Sequence, residues 1–174
     1  MNRKIGVILS YVLMIFEILS TLLLTPFILR TLGQAEYGVY RLSETIIAYL
    51  LLLDLGVSNA SIRFLSKYKV NNDIDQGRRF MGLSIIYYSI IALIALIAGI
   101  VLISAFPSIF SEGLTTNQIR LGQNLLSVTL ITSCITLVTS PFYSSLIAYE
   151  KFDISRGASI IKIILRIILT YLGL

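Results

Sequence analysis

The segment FMGLSIIYYSIIALIALIAGIVLISAF, residues 80–106, carries no charged side chain and decides the fold class of this chain. A helix that crosses a bilayer needs roughly 20 consecutive apolar residues, and this segment is longer than that. Further long apolar segments cover residues 5–29, 39–65, 121–148 and 157–174, separated by short polar connections. Because barrel strands are about half this length and alternate strictly, the pattern predicts an all-α integral membrane protein with about five transmembrane helices.

The composition supports the same class and excludes several kinds of active site. Hydrophobic residues make up 56% of the chain and charged residues 13%, with a mean hydropathy of +0.89. There is no His and a single Cys, Cys134, which excludes an intrachain disulfide, a Cys/His zinc cluster and a Ser-His or Cys-His catalytic pair. The second connection offers only Asp73 and Asp75 as acids. We therefore expect a protein that is not an enzyme and that uses no cofactor or metal.

The net charge of +5 is distributed unevenly along the connections between the apolar segments. Arg120 is the only base of the third connection, and the first connection has two, Arg30 and Arg41. Apart from Lys162 and Arg166 in the fifth span, the other bases precede the first span or surround the second and fourth connections: Arg3, Lys4, Arg63, Lys67, Lys69, Arg78, Arg79, Lys151 and Arg156. By the positive-inside rule, this pattern places the N-terminus in the cytoplasm. We expect the protein to lie in the cytoplasmic (inner) membrane. The placement of the bases also argues against nucleic acid as a partner.

Six charged side chains inside or at the edge of the predicted spans are candidate site residues, because a charge there is costly unless it is paired or reaches water. They are the acids Glu17, Glu44 and Asp54 and the bases Arg41, Lys162 and Arg166. Arg166 lies roughly 15 Å into the last span, which favours a wet cavity and an anionic ligand. Pairing of Arg166 with Glu17 or Asp54 is the structural alternative. Arg41 and Glu44 are one turn apart and can pair, and for the acids both cavity-lining and structural roles stay open.

Small and hydroxyl-bearing side chains indicate how the spans could pack. Gly56 and Ala60 are four residues apart, a spacing that permits close approach of a second helix. The fourth span carries a hydroxyl stripe, defined here as Thr129, Thr132, Ser133, Thr136, Ser140 and Ser144. This spacing places the stripe on one helix face, either to line a hydrophilic cavity or, as we favour, to form hydrogen bonds between helices. Span 80–106 itself indicates a packing or lipid-facing helix, closed by Pro107.

Two sequence runs occupy the first connection and the second span. The first is RTLGQAEYGVY at residues 30–40, and the second is LDLGVSNASIRF at residues 53–64. With PFYSSLIAYEKF at residues 141–152, they make the chain resemble the polysaccharide flippases of the multidrug/oligosaccharidyl-lipid/polysaccharide exporter superfamily. The matching motif residues are Arg30, Gly33, Glu36, Tyr37, Gly38, Tyr40, Asp54, Gly56 and Arg63.

This resemblance implies the N-terminal lobe of a bacterial two-lobed transporter, incomplete here and hence an N-terminal fragment. It implies a flippase that moves a polyprenyl-(pyro)phosphate-linked saccharide across the membrane by alternating access, with other polysaccharide-assembly proteins and membrane lipid as partners. Lys162 and Arg166 would hold the phosphate, and Glu17, Glu44 or Asp54 would couple the cycle to an ion or to the membrane potential. A drug/cation antiporter of the same superfamily and a small membrane accessory or assembly subunit are the alternatives.

The proposed sidedness can be tested with reporters fused after Asp73 and after Asn117, in the second and third connections. An alkaline phosphatase that is active only after export should be inactive at Asp73 and active at Asn117, because the basic connection stays in the cytoplasm. The opposite pair of activities would contradict the assigned orientation.

Overall fold

The computed structural model describes residues 3–150 and 152–173, with side chains for residues 10–150, 155, 157–165, 167 and 168, and it contains helices but no strand within that described part. The helices coincide with the apolar segments and extend into the polar residues that flank them. The elements are α1 (Arg3–Leu32), α2 (Gln34–Leu51), a short 3-10 turn (Leu52–Asp54), α3 (Val57–Val70), α4 (Ile74–Phe110), α5 (Thr116–Ala148) and α6 (Phe152–Gly173).

Four stretches of the described residues are long and apolar enough to cross a membrane, namely Ser10–Leu32, Gln34–Val70, Ile74–Phe110 and Thr116–Ala148. They correspond to the first four predicted spans and confirm an all-helical membrane protein. The fifth predicted span, residues 157–174, corresponds to α6, and its insertion into the membrane stays a prediction. The second span differs from a single helix over residues 39–65, because it is divided between α2 and α3.

The helix ends are specified by short-range hydrogen bonds that the sequence encodes. The Asp73 carboxylate caps α4 by accepting from the Gln76 amide at 3.1 Å. At the start of α5, the Thr115 hydroxyl accepts from the Gln118 amide at 3.4 Å, while the Gln118 side chain accepts from the Thr115 amide at 2.9 Å. This reciprocal capping box satisfies backbone donors that the first turn of a helix leaves unpaired.

Gly33 separates α1 from α2, as the sequence predicts for a helix C-cap. Its φ of 90° is left-handed, a conformation that costs little without a Cβ, and its amide donates to the Leu29 carbonyl at 3.0 Å. The next helix begins at once, at Gln34. The prolines do not end helices: Pro107 lies inside α4, which continues to Phe110, so the expectation that Pro107 closes the third span is wrong.

The chain divides into two compact units, one of Met1–Tyr37 with Glu150–Leu174 and the other of Gly38–Tyr149. In the first unit α1 packs against α6. In the second unit α4 packs along α5, and α3 packs on both. The apolar core of this second unit consists of two clusters of buried side chains: Tyr88, Ile91, Ala92, Ala95 and Leu137, and Ile47, Phe106, Leu126 and Leu130.

Two glycines allow close packing inside the second unit. A Cβ on Gly99 of α4 would lie 2.3 Å from Cδ1 and 2.9 Å from Cγ of the buried Leu130 of α5. A Cβ on Gly122 of α5 would lie 2.6 Å from the Phe106 ring. Since real Cβ atoms do not approach so closely, these glycines set the distance between α4 and α5.

We predict that Gly99→Ala lowers the free energy of unfolding in detergent by about 1–3 kcal/mol, because Leu130 is buried and has little room to move. Gly82→Ala on the same helix is the matched control, since no described atom lies within 4 Å of its added Cβ. In a Leu130→Ala background the Gly99→Ala penalty should shrink. Equal stability of the two single variants would contradict this account of the α4–α5 contact.

Candidate functional site

The second membrane span is broken near its middle. After α2 ends at Leu51, residues Leu52–Asp54 form a 3-10 turn, and α3 starts only at Val57. Leu55 and Gly56 between them have φ values of 49° and 77°, two successive left-handed residues. Gly56 tolerates this conformation, whereas it is uncommon and costly for leucine. The break is therefore a strained feature that the surrounding structure has to hold.

The break also corrects the role assigned to Gly56. Close approach of a second helix was expected there, but no described atom lies within 4 Å of a Cβ placed on Gly56. The glycine serves the backbone conformation of the break instead.

Asp54, the last residue of the 3-10 turn, anchors the break to its neighbours. Its Oδ1 accepts a hydrogen bond from the phenol of Tyr88 on α4 at 2.5 Å, and its Oδ2 accepts from the Ser58 hydroxyl on α3 at 3.0 Å. The Ser140 hydroxyl of α5 lies beside the same phenol. The carboxylate thus links the break directly to α3 and α4, and α5 adjoins it through Ser140 beside the phenol. We call these four residues (Asp54, Ser58, Tyr88 and Ser140) the Asp54 clamp.

Tyr88 is the residue that sequence reasoning missed, because its span was interpreted as uninformative packing. Its side chain is fully buried, so its phenol needs a partner inside the protein. The sequence places a phenol and a carboxylate in apolar spans, where each needs a hydrogen-bond partner. A search for a partner of Asp54 among the polar side chains of the other spans would therefore have included Tyr88.

Several hydroxyls of the stripe form hydrogen bonds within α5, whereas bonds between helices were favoured from the sequence. Thr129 donates to the Leu125 carbonyl at 2.5 Å and Thr136 to the Thr132 carbonyl at 2.8 Å, both within α5. Toward the end of the helix, the buried Ser144 donates across to the Ser58 carbonyl at 3.4 Å. Helix-to-helix hydrogen bonding by the stripe is thus concentrated where α5 meets the Asp54 clamp.

Glu44 and Arg41 form the ion pair that the sequence predicted, with 2.8 Å between Nη1 and Oε2. Glu44 also accepts a hydrogen bond from the Tyr40 phenol through Oε1. These partners all lie on α2, within a little more than one turn. The arrangement favours the structural interpretation of Glu44 and Arg41 over a role in lining a cavity.

Glu17 and Lys162, by contrast, face the same cavity in the first unit. This α1–α6 cavity has a volume of about 370 Å³ and is lined by Glu17, Ser20, Thr21, Ser159, Lys162 and Ile163. The Ser20 hydroxyl is buried and finds no hydrogen-bond partner among the described residues. A carboxylate, an ammonium group and an unpartnered hydroxyl therefore converge on one space between largely apolar helices.

The remaining predicted residues are placed as follows. Arg166 lies on α6 one turn after Lys162, but its side chain is outside the described residues, so its role stays a prediction. Arg30 is exposed near the end of α1, and Arg63 is exposed on α3. The other motif residues of the first connection, Glu36, Tyr37, Gly38 and Tyr40, occupy the first turns of α2.

Comparison with known proteins gave no match to a protein family, to a curated protein or to a solved structure. The function therefore has to be argued from the broken span and the α1–α6 cavity. The first is a conformational feature held by the Asp54 clamp, and the second is a polar space that can bind a charged ligand.

We predict that Tyr88→Phe lowers the free energy of unfolding by about 1–3 kcal/mol, because the Asp54 carboxylate loses the hydrogen bond from the fully buried Tyr88. Tyr87→Phe is the control, since it removes the same atom from the neighbouring ring of the edge-to-face Tyr87–Tyr88 pair. Urea or thermal unfolding in detergent measures both. A loss of similar size in the two variants would show that the Asp54 clamp contributes no specific stability.

Proposed function

We propose that this chain belongs to a membrane transporter that moves a polyprenyl-(pyro)phosphate-linked oligosaccharide across the cytoplasmic membrane by alternating access. The observation that carries the proposal is the α1–α6 cavity, in which Lys162, Glu17 and hydroxyl groups share one space. Ionisable side chains within membrane spans commonly mark substrate or ion pathways. The resemblance of residues 30–40 and 53–64 to polysaccharide flippases supplies the substrate class.

The cavity chemistry suits a phosphorylated saccharide. The ammonium group of Lys162 can hold a phosphate oxygen by a charge-assisted hydrogen bond, which is stronger than a neutral one. Ser20 and Ser159 offer hydroxyls for the oxygens of a sugar ring, and Ser20 has a hydroxyl free to take that role among the described residues. A volume of about 370 Å³ lies within the usual range for ligand pockets and holds part of such a substrate.

The break in the second span provides a point at which α2 and α3 can change their relative orientation during transport. Discontinuous helices recur in transporters, where the irregular backbone lies near the binding site and moves during alternating access. The strained Leu55 and the conformationally permissive Gly56 can change φ and ψ more readily than residues of a continuous helix. Under this proposal the Asp54 clamp stabilises one of the two access states.

Glu17 is the acid best placed to couple transport to an ion. Its side chain is exposed and borders the same cavity as Lys162. In one state Glu17 can neutralise Lys162, and in the other the substrate phosphate replaces it. Proton or cation uptake by Glu17 would then accompany the exchange.

A drug/cation antiporter is a second candidate, favoured by a separate cavity in the same unit. This cavity of about 340 Å³ is lined by Met14, Glu17, Ile18, Thr21 and Leu22. One carboxylate among apolar walls matches a lipophilic cation, because the walls accept the apolar body and the carboxylate accepts the charge.

The two candidates can be separated by binding measurements on the full chain in lipid nanodiscs. Lys162→Gln should weaken binding of an undecaprenyl-pyrophosphate-linked oligosaccharide about tenfold or more, as expected for one lost charged contact. Arg120→Gln, which removes an exposed base at the start of α5, should leave that affinity unchanged. Tetraphenylphosphonium should bind weakly, with little effect of Lys162→Gln.

Equal oligosaccharide affinity in the Lys162 and Arg120 variants would contradict the flippase proposal. Tight binding of tetraphenylphosphonium that is abolished by Glu17→Gln would favour the antiporter instead.

A further inference from the structure

The outer face of α3 carries a row of polar residues that the proposed transport site does not use. Asn59, Arg63 and Lys67 follow one another at intervals of four residues, so they lie on one helix face. Ser61 and Leu65, which point the other way, are buried. The chain thus holds two cations one turn apart on the side of α3 that faces away from the core of the second unit.

A cavity of about 710 Å³ lies along this row. Its lining combines Asn59, Arg63 and Lys67 with the apolar side chains of Ala60 and Phe64, and we call it the α3 groove. Phe64 is 44% exposed, and its ring packs on Phe80 of α4 with 5.5 Å between centroids. The groove therefore has a charged edge, formed by Arg63 and Lys67, and an aromatic wall, formed by Phe64, whose ring packs against α4.

Neither cation of the groove has a counter-charge among the residues that the structure describes. Among the described residues neither Arg63 nor Lys67 forms an ion pair, and both side chains are exposed. Asp54, the nearest acid before them in the sequence, is held by Tyr88 and Ser58 in the Asp54 clamp. An anion from outside the chain could therefore pair with two positive charges, those of Arg63 and Lys67, which lie one helical turn apart.

The position of the groove indicates the kind of anion. α3 ends at Val70, the last residue of the 37-residue stretch that is apolar enough to cross a membrane, and the basic second connection follows it, so we expect Lys67 near the membrane surface. Phe64 lies about one turn deeper along the same helix. A ligand whose charge lies between Lys67 and Arg63 can place its neighbouring atoms against Phe64, which is level with Arg63, and against Ala60, about one turn deeper along α3. That geometry fits an amphiphile with an anionic head and an apolar chain, and excludes a fully hydrated anion as the best match.

We infer that the α3 groove binds an anionic glycerophospholipid of the surrounding leaflet, with the phosphate between Arg63 and Lys67 and the first part of an acyl chain on Phe64. This site is separate from the α1–α6 cavity, and the inference stands whether or not the chain transports a saccharide. A bound lipid at this place would fix the end of α3 that follows the break in the second span.

The same end of the molecule offers a matched control. Arg78 and Arg79 on α4 are exposed and adjacent in sequence, so they point to different sides of the helix and line no part of the groove. A diffuse attraction between basic residues and an anionic membrane would depend on them as much as on Arg63 and Lys67. A built lipid site depends on the groove pair alone.

The experiment titrates fluorescent phosphatidylglycerol into the full chain in a neutral detergent, with phosphatidylcholine as the uncharged competitor. The double variant Arg63→Gln with Lys67→Gln should weaken phosphatidylglycerol binding about tenfold or more, since two charge contacts are lost. The double variant Arg78→Gln with Arg79→Gln carries the same change of net charge but touches no residue that lines the groove, so its affinity should stay within about twofold of that of the unaltered chain. Phe64→Ala should give a smaller loss than the first double variant.

A second measurement needs no substitution and so does not depend on folding of a variant. A photo-crosslinkable phosphatidylglycerol added to the unaltered chain should label the peptide that contains residues 59–67. Equal weakening in both double variants, equal binding of phosphatidylcholine, or labelling confined to other peptides would overturn the inference. Binding of undecaprenyl phosphate without binding of phosphatidylglycerol would also overturn it, by showing a carrier-lipid site instead.

Discussion

Every backbone amide and carbonyl of a membrane span needs a partner inside the protein, because lipid supplies none. The long helices of this chain meet most of that requirement by themselves, and the Gln123 side chain of α5 donates to the Ile103 carbonyl, four residues before Pro107. At the break in the second span, at Leu55 and Gly56, the regular pattern of hydrogen bonds stops. A break of this kind persists only if its surroundings hold it, and the bond from Tyr88 to Asp54 is the contact that does so. The position of α3, and with it the α3 groove, depends on that contact.

The packing of the second unit explains why Tyr88 is available at this place. Gly99 and Gly122 bring α4 and α5 together, and the resulting core buries Tyr88 completely. A buried phenol has to be satisfied, and the carboxylate of the break is within its reach. Apolar packing between two helices thus fixes a polar contact to a third. The Asp54 clamp is in this sense a consequence of the α4–α5 interface.

The sequence predicted the helical class, four of the spans, the Gly33 cap and the Arg41–Glu44 pair, since each follows from local pattern or spacing. It did not predict the break, because the residues of Leu51–Leu55 are nearly all apolar and continue the hydrophobic pattern of the span. It did not predict the partner of Asp54 either, since Tyr88 lies 34 residues away and meets it only through tertiary packing. The prediction for Gly56 was wrong for a related reason. The spacing of Gly56 and Ala60 is typical of a helix contact, but it does not reveal whether the glycine has a positive φ.

The central claim is that the second membrane span is discontinuous at Asp54 and is held there by α4. Hydrogen exchange of backbone amides, measured on the chain in lipid nanodiscs, tests this most directly. We predict that the amides of residues 55–58 exchange much faster than those of residues 91–95, which lie in the unbroken α4 and include the buried Ile91, Ala92 and Ala95. Protection of residues 55–58 equal to that of residues 91–95 would mean a continuous helix, and would contradict the account.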